Sequence, residues 1–133
     1  MKNELREAAT RARLRAYAPY SGFLVGAALL SESGAVITGC NVENISLGLT
    51  MCAERVCVGR AIEQGEKNFK AIAIVADTMT PIVPCGACRQ VLAEFTPGVA
   101  ITSWTLEGVS QEFLLTELLP LPNQGILQVP RGT

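Results

Sequence analysis

The strongest constraint on how this chain can fold comes from two short stretches, Cys52-Ala53-Glu54 and Pro84-Cys85-Gly86-Ala87-Cys88. Cys85 and Cys88 stand at i and i+3, which puts them on one face of a helical first turn, and Pro84 suits the position just before it. Cys52 and Glu54 stand at i and i+2, positions that share no face within a helix, so both reach one pocket only if Cys52 lies at the very start. The spacing therefore predicts two helix N-termini aimed at one point, where backbone N–H groups and the positive ends of the helix dipoles favour thiolates. Three thiolates suit a tetrahedral zinc ion whose fourth position stays open to water, the arrangement of a catalytic rather than a structural site. Glu54 is then the base beside that water. The chain has no histidine, so three cysteines are the only variant of such a centre open to it.

Three thiolates and one Zn²⁺ sum to −1, whereas one histidine and two cysteines would sum to zero, and the extra negative charge makes a bound water harder to deprotonate. A cationic offset is expected from Arg55 or Arg89, each of which directly follows a motif residue, because a guanidinium stays charged when partly buried. For both arginines the alternative is an ordinary surface ion pair. For the cysteines the plain alternative is burial as small hydrophobes, the reading taken for Cys40 and Cys57. Two functional alternatives also stand: a redox dithiol of Cys85 and Cys88, and a closed four-cysteine zinc module using Cys40 or Cys57. Neither gives Glu54 a role.

With 133 residues the chain suits a single domain, 1–133, and is too short for two. Its 11 basic and 12 acidic residues nearly cancel, and no basic run resembles a phosphate-tracking surface, so no nucleic-acid partner is expected. A small, weakly charged substrate fits better. Apolar residues make up 49% of the chain, yet no stretch reaches the ~18–20 uninterrupted apolar residues of a membrane span. No membrane partner is expected, and the apolar excess points to a subunit interface. Residues 1–15 mix Lys2, Arg6, Arg11, Arg13 and Arg15 with Glu4 and Glu7, unlike a secretory signal, so a cytoplasmic location is expected. Five cysteines, an odd number with one Cys-x-x-Cys pair, fit metal or redox chemistry in a reducing compartment better than a disulfide framework.

Asn3 is expected to cap a first helix running to about Ala16, on the helical recurrence of Leu5, Ala8, Ala9 and Ala12, with Pro19 blocking continuation. Residues 23–30 and 35–39 flank the turn Ser31-Glu32-Ser33-Gly34 and read as a hairpin, in which Gly26 allows a close backbone approach. Residues 40–50 turn polar and read as a loop feeding the metal stretch. A buried helix follows over 52–63, then a strand over 71–76, a loop over 77–84 and a second helix over 85–95 that stops before Pro97. Strands are expected over 99–106 and 109–113 and a short helix over 114–119; residues 121–133 show no periodicity. Strands alternating with buried helices indicate an α/β layered domain.

Read together, these stretches resemble one family. The matching segments are Tyr17-Ala18-Pro19-Tyr20-Ser21, Val25-Gly26-Ala27-Ala28-Leu29, Gly39-Cys40-Asn41-Val42-Glu43-Asn44, Cys52-Ala53-Glu54-Arg55 and Pro84-Cys85-Gly86-Ala87-Cys88-Arg89-Gln90. A Cys-x-Glu followed by Pro-Cys-x-x-Cys is a zinc-deaminase signature, here with cysteine in place of the first-ligand histidine. From Tyr17 to about Leu119 the chain resembles cytidine deaminases of the small homotetrameric type. The resemblance implies a three-layer α/β/α sandwich with a mixed five-stranded sheet, and one Zn²⁺ per chain held by Cys52, Cys85 and Cys88, with Glu54 catalytic. It further implies that Asn41 and Glu43 hold the ribose hydroxyls and that Phe23 stacks on the pyrimidine; the backbone around Ala53 and Cys85 is expected to orient the amino group. Arg55 is implied to hydrogen-bond the metal thiolates, with Arg89 and Gln90 supporting the site, and active sites are implied near the subunit interfaces of a homotetramer.

A loop carboxylate such as Glu43 accepts from a sugar hydroxyl, and Asn41 both donates and accepts; without the resemblance the pair would read as a solvated turn. Phe23 offers a flat face for a base, though alone it would read as core. Three departures concern the walls of the base pocket. Leu24 stands where the family commonly has proline, Leu47 where tyrosine is common, and no aromatic follows Phe113. The expected reaction is hydrolytic deamination of cytidine and 2′-deoxycytidine, a nucleoside substrate in each case. The alternatives are a deaminase for N4- or C5-substituted cytosine nucleosides and, more remotely, a non-catalytic zinc-binding module.

Overall fold

A strand that is apolar along most of its length has little face to give to water, and two such runs, broken only by Lys70 near the start of one and Ser31 at the end of the other, lie inside the sheet. In a computed structural model of the chain, which describes residues 1–123, they are β1 (Val25–Ser31) and β3 (Phe69–Ala76). β1 follows α1 (Lys2–Arg13) and pairs antiparallel with β2 (Val36–Cys40), placing Ala27 opposite Gly39. Its other edge pairs antiparallel with β3, placing Ala27 opposite Ile74. After β2 come a 3-10 turn (Leu47–Leu49), α2 (Ala53–Glu63) and β3 itself. Then α3 (Gly86–Phe95) crosses over to β4 (Ala100–Thr105), which pairs parallel with β3, Ile72 opposite Ile101; a parallel pair needs such a crossover. β5 (Ser110–Leu114) adds antiparallel to β4, and α4 (Leu115–Leu118) is a single turn. The strand order is β2-β1-β3-β4-β5, a mixed five-stranded sheet as expected.

The alternation along β1 and β3 sorts the layers. Ala27, Leu29, Ile72 and Ile74 face α2 and α3 and pack with Cys57, Val58, Ala61 and Leu92. Ala28, Ala73 and Val75 face the other way and pack with Leu5, Ala8 and Ala9 of α1. The result is a helix–sheet–helix sandwich. The α1 face is built mostly of alanine, which lets the helix lie close to the sheet. At Gly26 the approach is closest: an added β-carbon would sit 1.9 Å from the Ala9 carbonyl oxygen and 2.6 Å from the Arg13 nitrogen. The glycine is required there by space, as anticipated.

Several boundaries differ from the sequence expectation. α1 is capped by Met1, not Asn3, and ends at Arg13 rather than Ala16, because Tyr17 must leave the helix to bridge strand-like to Asn41 and Glu43 (Tyr17 N to Asn41 O 3.0 Å, Glu43 N to Tyr17 O 2.8 Å). β3 begins at Phe69, where Ser31 still offers a partner and the ring packs against Phe95 at 6.0 Å. Cys40 remains in the ladder opposite Gly26, so the loop starts one residue later. β4 and β5 are each displaced slightly from the expected spans. The tail from residue 124, including Ile126 and Leu127, lies outside the described residues. Among the described residues no helix is long and apolar enough to cross a membrane.

Candidate active site

The two helix starts meet as the cysteine spacing requires. Cys52 is the N-cap of α2 and Cys85 the N-cap of α3, each extended and so free to turn its thiol toward the helix's positive end. Cys88 sits one turn into α3 and is fully buried. The three Sγ atoms lie within 4.8 Å of one another, with Cys52 to Cys85 at 3.7 Å and Cys85 to Cys88 at 3.2 Å. Tetrahedral zinc with Zn–S bonds of about 2.3 Å needs sulfurs about 3.8 Å apart, so the first pair already has that spacing and the second must open by about half an ångström. The donor set fits zinc with one position left over.

Charge around the thiols is arranged to match. The Cys88 thiol and the Arg55 guanidinium bring the Cys52 thiol down to about 5, against the opposing effect of burial. The same contact, together with burial, pushes Cys88 up. Arg55 Nη2 donates to the Thr50 carbonyl at 2.9 Å and reaches Cys52 Sγ at 3.8 Å, while its buried Nε–H has no partner. A buried, unpaired donor beside thiols fits a further acceptor of negative charge. Glu54 is only 4% exposed. Burial pushes its carboxyl up to about 7, with the negative charge of Cys52 adding to the effect, which is where a group that must take and return a proton at neutral pH is most effective.

These groups form the floor of a cavity of about 250 Å³. Phe23, Val25, Ile82 and Val83 give it apolar walls, and Asn41, Glu43 and Thr50 polar ones, above Cys52, Ala53, Glu54 and Cys85. Phe23 is 40% exposed, so its ring belongs to the cavity and not to the core. Asn41 is buried and spans two neighbours: Oδ1 accepts from Val25 N and Nδ2 donates to Phe23 O, both at 2.8 Å. Glu43 Oε1 accepts from the Tyr20 and Ser21 backbone N–H at 2.9 and 3.1 Å, and Oε2 from the Ser21 hydroxyl. The Ser21 hydroxyl, ahead of those backbone bonds, holds the Glu43 carboxyl below its ordinary value.

The structure therefore gathers Phe23, Asn41, Glu43, Cys52, Ala53, Glu54 and Cys85 around one cavity, with Cys88 and Arg55 directly behind it. Arg89 and Gln90 go elsewhere. Arg89 donates to the Pro84 and Leu118 carbonyls at 2.8 and 3.0 Å, fastening α4 to the start of α3, and Gln90 donates to the Pro122 carbonyl at 3.1 Å. Of the two candidate counter-charges, only Arg55 touches a thiol. Cys57 is fully buried with its thiol pushed up by burial, and neither it nor Cys40 joins the three-sulfur group. Leu47, in the 3-10 turn, is 72% exposed and lines no part of its own chain's cavity. Sequence reasoning missed Thr50, Ile82 and Val83; the one available signal was an apolar pair interrupting a polar loop directly before Pro84.

An open three-thiol site, a buried carboxylate beside it and a small half-apolar cavity on an α/β/α sandwich define a zinc-dependent hydrolase. Residues 1–103 match a family model described as the cytidine and deoxycytidylate deaminase zinc-binding region, and the chain belongs to that family. It is 52% identical over 113 residues to a cytidine deaminase of Halalkalibacterium halodurans, covering 84% of this chain and 86% of that protein. Over 111 residues it is 50% identical to a cytidine deaminase of Sporosarcina psychrophila, covering 83% and 82%. The crystal structure of a cytidine deaminase from Burkholderia pseudomallei superposes with a TM-score of 0.87 at 46% identity, covering 90% of this chain and 97% of that one.

Proposed function

We propose that residues 1–133 act as one catalytic domain that hydrolyses cytidine and 2′-deoxycytidine to uridine and 2′-deoxyuridine, releasing ammonia. The observation that carries this reading is Glu54: a carboxyl held at about 7 beside three convergent thiols, on the floor of a cavity with an aromatic wall. Cys52, Cys85 and Cys88 would hold one zinc ion, which supplies a water acidic enough to lose a proton near neutral pH. Glu54 would carry one proton to ring nitrogen N3 as a hydroxyl adds to C4, then carry that hydroxyl's proton to the amino group, whose bond to C4 breaks as the C4 carbonyl forms and ammonia leaves. Phe23 stacks on the base, and Asn41 and Glu43 receive the sugar at the far end of the cavity. Arg55 offsets the excess negative charge of the three thiolates.

The relatives named cytidine deaminase support this substrate over an N4- or C5-substituted one. A redox dithiol or a closed zinc module gives a buried carboxylate nothing to do, and no fourth cysteine joins the sulfur group among the described residues. Exposed apolar side chains beside the cavity, Ile45, Leu47, Leu49 and Met51, support burial of this rim in a homotetramer whose active sites lie near subunit interfaces. A cytoplasmic location accords with five free cysteines. Turnover of cytidine, deoxycytidine, cytosine and N4-methylcytidine, followed by ultraviolet absorbance, tests the reading. It predicts that the two plain nucleosides lead, and no turnover of any by zinc-loaded protein would refute it.

A further inference from the structure

We infer that Ser21 is a positioning residue for the sugar end of the cavity, its hydroxyl joining the Glu43 carboxylate and the Phe23 backbone into one unit. The inference rests on the reading that Glu43 receives a ribose hydroxyl. Ser21 Oγ donates to Glu43 Oε2 and accepts from Phe23 N at 3.0 Å, so one atom links the carboxylate to the residue bearing the stacking ring. The backbone is shaped for this. Gly22 adopts φ +69°, a left-handed conformation that side chains resist, and its N–H closes the turn on Ala18 O at 2.9 Å.

The remaining contacts show why the hydroxyl matters to Glu43 in particular. Residues 23–25 are fixed independently, by Asn41 on Phe23 and Val25 and by Arg13 Nε on the Leu24 carbonyl at 3.1 Å. Phe23 therefore keeps its place without Ser21. Glu43 has no such second anchor: its Oε1 is held by two backbone N–H groups, and its Oε2 by the Ser21 hydroxyl alone. A carboxylate offers about four acceptor sites, so this turn occupies most of them and leaves Oε2 one for a ligand, in a fixed direction. Removing the hydroxyl frees Oε2 to turn and returns that direction to chance.

A turn that merely stabilised the loop would affect every substrate alike, whereas a positioning role is confined to substrates with a ring hydroxyl. Ser21→Ala should raise KM for cytidine by about fivefold to tenfold, less than the full loss of a bond to a charged group because Glu43 keeps its two backbone N–H bonds, with kcat within about twofold. KM for 2′,3′-dideoxycytidine should not move, and Ser21→Thr, which keeps a hydroxyl, should restore cytidine binding. Equal loss on both nucleosides, or a fall in kcat with KM unchanged, would overturn the inference. Titration of the Glu43 carboxyl by carbon-13 NMR gives a readout that needs no turnover: its pKa should rise in Ser21→Ala and not in Ser21→Thr. If wild type turns over neither nucleoside, the functional reading fails, and this titration still decides whether Ser21 governs Glu43, an unchanged value counting against it.

Discussion

Replacing Glu54 by glutamine should stabilise the metal-free protein at alkaline pH and leave its stability in acid nearly unchanged. The carboxyl is 4% exposed, and burial raises its pKa from 4.5 to about 7. At ~1.4 kcal/mol per tenfold change in proton affinity, ionising it in the folded state costs about 3 kcal/mol more than in the unfolded chain. The sign follows from the direction of the shift: the folded state holds the proton more tightly, so the penalty is absent below pH 4.5, grows between the two values, and is complete above about pH 7. Glutamine has the same shape and no such penalty. For a domain of this size 1 kcal/mol moves Tm by ~4 °C, so the melting curves of wild type and Glu54→Gln should separate by about 10 °C between pH 4.5 and pH 8. Scanning calorimetry with chelator and reductant present measures it. The carboxamide's extra N–H adds an offset that does not vary with pH, so the pH dependence of the difference is the quantity to read. A difference that stays constant across that range would refute the claim that Glu54 is buried at the expense of stability.

Arg55→Ala removes the one guanidinium among the described residues that reaches a thiol and should weaken zinc retention by tenfold to a hundredfold, the usual range for a group supporting metal ligands; competition with a chromogenic chelator checks it. Gly26→Ala would put a β-carbon 1.9 Å from the Ala9 carbonyl oxygen and should cost about 3 kcal/mol by forcing α1 off the sheet, seen as a lowered urea midpoint with unchanged zinc content at low temperature. Leu47→Tyr should lower the ratio of kcat/KM for N4-methylcytidine to that for cytidine if this exposed rim residue closes a neighbouring subunit's cavity; an unchanged ratio places Leu47 outside every cavity of the assembly.

What could be read from sequence was whatever depends on spacing. The i, i+3 relation of Cys85 and Cys88 and the i, i+2 relation of Cys52 and Glu54 dictated two helix N-termini at one point, and both cysteines are N-caps. The apolar runs over 23–30 and 71–76 marked β1 and β3 as strands, and the glycine within the first marked a close approach, whereas their interior place in the sheet was not read. What escaped depends on where side chains end. Nothing in the spacing distinguishes Arg55, which turns back to its own helix start, from Arg89, whose nearest free acceptors are carbonyls at the ends of α3 and α4. Thr50, Ile82 and Val83 lie in loops, where no periodicity reports which way a residue faces. The end of α1 was missed because the pull came from Asn41 and Glu43, far along the chain.

Cytidine turnover by Glu54→Gln beside wild type at matched zinc content tests most directly whether Glu54 is the proton carrier of a three-sulfur zinc site. Metal analysis and X-ray absorption should give one zinc per chain with three sulfur neighbours in both proteins. Loss of the proton carrier should then lower kcat by about 10²–10⁴-fold while zinc stays bound. Near-normal turnover at equal zinc content, or four sulfur neighbours in the wild type, would contradict it.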